Sequence, residues 1–135
     1  MKIIICLDER QGIRFNHRRQ SKDRRVIEDI GTDLDGTLYI EPYSKALFLE
    51  SGIAYVCKEK PWETLGEQGV CFVESAEFLH CLSSVSQITV YWWNRHYPSD
   101  LRLDLDFNSS GFCLSEHVDF AGFSHEKITK EVYKR

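Results

Sequence analysis

The stretch KIIICLDERQGIRFNHRRQSKD, residues 2 to 23, is where the fold of this chain is decided. Its first six residues, Lys2 to Leu7, form a continuous apolar run of strand length, the pattern of a central strand buried on both faces. Asp8 to Gln20 is polar and contains Gly12, so a long loop is expected there. From Ser21 to Gly31 the pattern turns helical. Ser21 is the expected N-cap, Asp23 falls in the first turn, Val26, Ile27 and Ile30 make a narrow apolar face, and Gly31 is the expected stop.

The same alternation continues downstream. Thr37 to Glu41 reads as a second strand, Tyr43 to Leu49 as a short helix after Pro42, and Ile53 to Cys57 as a third strand. Lys58 to Gly69 reads as loop; Val70 to Val73 is a fourth strand, and Ser75 caps a helix through Leu82 whose Phe78, Leu79 and Leu82 face inward. Gln87 to Trp93 is a strongly β-prone fifth strand, and Leu101 to Phe107, Phe112 to Leu114 and Lys127 to Tyr133 alternate as strands. The order predicts a single α/β domain over residues 1–135, with a mixed, mostly parallel sheet, helices on both faces and antiparallel strands closing its C-terminal edge.

Composition bounds the function. With 135 residues, 42% hydrophobic and 13% aromatic, there is material for one core. A net charge of −4 gives no overall positive field to attract nucleic acid or an anionic membrane. The apolar runs fall far below the ~20 residues needed to span a bilayer, and the one in MKIIICLDER is too short for a signal peptide. A cytoplasmic protein with no membrane partner is expected. Cys6, Cys57, Cys71, Cys81 and Cys113 form no CxxC spacing, and the five histidines no HxH or HExxH pattern. Free thiols, no metal and no cofactor are therefore expected.

Asp33-Leu34-Asp35-Gly36-Thr37-Leu38 resembles the nucleophile loop of haloacid dehalogenase phosphatases. Such a nucleophile stands at the end of a buried strand, whereas Asp29-Ile30-Gly31-Thr32 ends a helix. Asp-Gly between polar residues is common turn chemistry, and a turn is the expected reading.

An apolar first strand, a loop with Gly12-Ile13 and Asn16, and a helix carrying Asp23 together resemble the start of the dihydrofolate reductases. Val70 to Phe78 falls where that family has a strand, a Gly-Gly pair and a helix. Gln87 to Trp93 followed by Tyr97-Pro98-Ser99-Asp100 falls at its next strand and acidic loop, and Phe123-Ser124-His125 before Lys127 to Lys134 at its final hairpin. The resemblance implies a dihydrofolate-reductase-like fold, a ligand at the C-terminal ends of the parallel strands, and Asp23 in the place of the pterin anchor.

The enzyme's machinery is altered. His17-Arg18-Arg19-Gln20-Ser21-Lys22 replaces a Pro-containing loop, Glu74-Ser75 replaces the Gly-Gly pair, and Tyr43-Ser44-Lys45 lacks the family's Gly-Arg phosphate contacts. A carboxylate at position 74 would repel pyrophosphate, so hydride transfer from NADPH is not expected. The expected partner is a small anionic or nucleotide-like ligand. Asn16, Arg18, Arg19, Lys22, Asp23 and Arg24 are the candidate binding residues on the loop, with Glu74, Ser75 and Arg95 beside them. Asp23, His96 and His125 are the candidates for proton transfer; Ser124-His125-Glu126 has triad residue types, but adjacent residues cannot converge on one atom.

Residues 15 to 24, 91 to 100 and 124 to 133 also resemble a group of short bacterial proteins that carry the label ribonuclease Z. That label implies RNA processing by the HxHxDH zinc cluster of the metallo-β-lactamase fold, a spacing this chain does not contain. RNA binding, with Trp92 and Trp93 as stacking platforms, is the second-ranked function, and a protein-interaction module the third.

Overall fold

A computed structural model describes all 135 residues. The chain opens with β1 (Lys2–Leu7), then β2 (Gly12–Phe15), β3 (Arg18–Arg19), α1 (Arg24–Asp33), β4 (Leu38–Ile40), α2 (Lys45–Phe48), β5 (Tyr55–Cys57) and β6 (Val70–Val73). It closes with β7 (Gln87–Trp92), β8 (Leu101–Arg102), β9 (Cys113–Phe120) and β10 (Ile128–Lys134).

Seven strands form one sheet in the order β5-β4-β6-β1-β7-β10-β9. β5, β4, β6, β1 and β7 pair in parallel, while β10 is antiparallel to both β7 and β9. The apolar run of β1 lies at the centre, with Ile3, Ile5 and Leu7 on one face and Ile4 on the other. The first face packs on Phe78, Val85, Leu103, Leu105, Phe107 and Phe112; the second takes Val26 and Ile30 of α1 and Phe48 of α2. Layers on both faces bury what a one-sided sheet would leave wet.

Several local expectations change. The expected loop at residues 8–20 carries β2 and β3, which join β8 in a three-stranded sheet. Asn16 and His17, at φ 51° and 62°, make the tight reversal between them. The segment 77–84 is a 3-10 helix rather than an α-helix, broken at Cys81. Only Leu101–Arg102 of the expected strand at 101–107 pairs; Leu103, Leu105 and Phe107 are still buried, so the alternation marks burial without a ladder. The strand expected at 112–114 begins one residue later and runs to Phe120.

Helix α1 starts and ends later than its sequence suggests. Its N-cap is Asp23, which accepts from the Arg25 N–H, and Leu34 closes it by donating to the Ile30 carbonyl. Gly31 therefore lies inside the helix, against Ile53. Within the DLDGT segment Asp33 ends α1, and Leu34 to Thr37 is an irregular connection bent at Gly36, which has φ 102°. Asp33 and Asp29 reach the buried Lys130 ammonium on β10, and Asp29 also accepts from the Tyr91 hydroxyl at 2.6 Å. No helix is long and apolar enough to cross a membrane.

Candidate functional site

The parallel strands deliver their polar residues at one edge. Asp8 follows β1, Glu74 and Ser75 follow β6, and Trp93 and Asn94 follow β7. Asp8 is fully buried and organises that edge: it accepts from the amides of Arg10, Gly12 and Tyr97 and from the Gln20 side chain. It was not singled out by sequence reasoning, because an Asp at a strand end reads as the first residue of a loop.

The Asp23 side chain has no exposure. Its carboxylate receives the N–H groups of Arg25, Phe123 and Ser124 at 2.8–2.9 Å, the Ser124 hydroxyl at 3.2 Å, and His125 Nδ1 at 2.8 Å. Burial alone would push its pKa up, but the bonds from His125 and the three amides outweigh it and hold the carboxyl well below the usual range. An ionised Asp23 accepts, so Nδ1 carries the shared proton, and in the tautomer this fixes Nε2 is the nitrogen with the lone pair. That nitrogen lies 2.8 Å from Ser21 Oγ and 3.3 Å from the Tyr97 hydroxyl. The ring stacks on Trp93 at 4.7 Å and 22°. Ser21, expected as a helix cap, is instead turned to His125.

A second cluster closes the edge beside β6. Arg19 grips Glu74 through both carboxylate oxygens, at 2.8 and 3.0 Å, and donates to the Tyr43 carbonyl. The Ser44 hydroxyl donates to Glu74 at 2.7 Å, and the Arg19 guanidinium lies over the Tyr43 ring. The bond to Glu74 raises the Arg19 pKa further, so the charge is permanent.

The basic loop therefore disperses. Lys22, Asp23 and Arg24 line a groove of about 860 Å³ between α1 and α2, with Ile27, Leu47 and Phe123 as apolar wall. Arg19 is committed to Glu74. Arg18 and Asn16 lie exposed at the β2–β3 reversal, with the Asn16 N–H on Asp100. Ser75 is buried and its hydroxyl accepts from the Glu77 N–H. Arg95 belongs to a separate hollow with Asn94, Glu126 and Lys127, and His96 is exposed beside Glu9. Trp93 is buried beneath His125, and Trp92 is half-buried with its N–H on Glu131.

Neither a family profile nor a curated protein matches the sequence. Among solved structures, a dihydrofolate reductase from Enterococcus faecalis, complexed with NADP(H) and RAB-propyl, matches with a TM-score of 0.69. The match covers 99% of this chain and 95% of that one at 9% sequence identity. The chain thus has the dihydrofolate-reductase-like fold.

Proposed function

We propose that the protein binds a small anionic or nucleotide-like ligand in the groove between α1 and α2 and performs no NADPH-dependent reduction. The observation that carries the reading is the pair of cations on the groove, Lys22 and Arg24, neither of which forms a salt bridge. Set against the apolar wall, these two cations suit a ligand with an acidic group and a flat or aliphatic body, while Glu28 and Glu50 on the same lining confine that acidic group to the Lys22–Arg24 side. Arg24 already lies over the Phe123 ring at 4.4 Å, which holds its guanidinium near the groove mouth. The non-redox part is supported by the Arg19–Glu74 fork, which fills the end of β6 with a carboxylate and its own counter-ion.

Thermal melts with NADPH, folate, nucleotides and small dicarboxylates test this. A true ligand at one hundred times its Kd stabilises the fold by about 2.7 kcal/mol. The shift is expected to vanish in a Lys22→Ala/Arg24→Ala variant and to shrink in high salt. No shift from any anion would remove the ligand reading, and NADPH oxidation with dihydrofolate would remove the non-redox one. Titration with structured RNA at two salt concentrations separates the nucleic-acid alternative.

A further inference from the structure

Asp23, His125 and Ser21 stand in the linear order of a hydrolytic triad. We infer that Ser21 is an acyl-accepting nucleophile, with His125 as its general base and Asp23 as the group that positions His125, acting on carboxylic esters or thioesters at the inner end of the α1–α2 groove.

Each contact has the geometry the chemistry requires. Ser21 Oγ to His125 Nε2 is 2.8 Å, and His125 Nδ1 to Asp23 Oδ2 is 2.8 Å. A nucleophile within hydrogen-bond reach of a base, itself oriented by a buried carboxylate, is the recurring arrangement for activating a hydroxyl. Asp23 is anchored by the amides of Phe123 and Ser124 and is kept ionised, so it fixes the imidazole tautomer. The stack on Trp93 fixes the plane of the ring. These supports come from α1, β7 and the β9–β10 hairpin, so the arrangement belongs to the fold rather than to one loop.

The surroundings favour Ser21 over its neighbours. It is half-buried and borders a small hollow with Cys6, Glu74 and Trp93, which shares Lys22, Asp23, Ile27 and Leu47 with the larger groove. Burial, reinforced by Glu74, pushes the Cys6 thiol well above its ordinary range, so that sulfur stays protonated. The N–H groups of Lys22 and Asp23, directly after Ser21, donate to no group of the protein. They are free to donate to an oxyanion, and the Lys22 N–H holds the sequence position used when the residue after a nucleophile supplies such a donor.

The step balances. Ser21 Oγ bonds to the carbonyl carbon as its proton passes to His125 Nε2. The carbon–oxygen or carbon–sulfur bond to the leaving group then breaks, and the leaving alcohol or thiol takes that proton. Water, activated by the same nitrogen, hydrolyses the acyl-serine and restores the hydroxyl. The acyl step stands on the triad alone; only an acidic tail on the substrate, set against Lys22 and Arg24, rests on the proposed binding function.

The test uses the full chain and phenylmethanesulfonyl fluoride, which needs no anionic tail. Mass spectrometry should find one adduct, on Ser21, absent from folded Ser21→Ala. Asp23→Asn should slow labelling by roughly 10²-fold or more, and p-nitrophenyl acetate should show a burst in the wild type that Ser21→Ala loses. Wild-type protein that is folded but unlabelled, or an adduct on another residue, would overturn the proposal. An anion-dependent melting shift without labelling would leave the groove reading standing and remove this one.

Discussion

At the scale of single residues, Asp23 decides most. Its folded pKa is depressed below the unfolded value, so it adds stability above the ordinary carboxylate pKa of about 3.9 and loses that contribution as pH falls toward the folded value. Melting temperature should therefore drop on acidification below about pH 4, and Asp23→Asn should flatten that dependence while costing roughly 3 kcal/mol at neutral pH in urea denaturation. Gly122 is the matching steric constraint. A Cβ there would come within 2.7 Å of Asp23 Oδ2, 2.8 Å of Ile128 and 2.9 Å of the His125 carbonyl. Gly122→Ala should cost about 1–3 kcal/mol, read by the same denaturation, and should depress Ser21 labelling. In the sequence Asp23 stood out only as a first-turn carboxylate and, through the reductase resemblance, as a candidate anchor, with the cap assigned to Ser21. Its partners were not legible: His125 is 102 positions away, and Ser21 has the chemistry of an N-cap. Asp23 won that cap because its carboxylate reaches Arg25 while Ser21 turns to the imidazole.

Elements were legible in proportion to how far local pattern determines them. β1, β6 and β7 were read within a residue or so because continuous apolar runs can only be central strands. β2 and β3 were missed because four- and two-residue strands have no periodicity to read, and β2 pairs with β8 nearly ninety positions away. Helix α1 outran its glycine because its second half is held from outside. Lys130, buried on β10, takes Asp29 and Asp33 and lies over the Tyr91 ring at 5.8 Å. Burial alone would lower the ammonium pKa, but the two carboxylates outweigh it and raise it. Asp29→Leu removes the better-buried partner and leaves the Tyr91 hydroxyl without an acceptor. The expected loss is about 3 kcal/mol, with hydrogen exchange showing early opening of residues 29–33.

For the whole molecule, the sheet has the dihydrofolate-reductase-like arrangement, and the edge where its parallel strands end carries two internal pairs, Asp23 with His125 and Arg19 with Glu74. The fold was legible because alternating strands and helices admit few topologies. The chemistry of the edge was not, because each pair joins residues far apart in the chain. Arg19→Ala strands a Glu74 side chain that is only 11% exposed, and should cost about 2 kcal/mol in a chemical melt. The most direct test of this account is calorimetric titration of the wild-type protein with NADPH, followed by absorbance after dihydrofolate is added. The account predicts no NADPH consumption, whatever heat of binding the nucleotide gives; dihydrofolate-dependent oxidation of NADPH would contradict it.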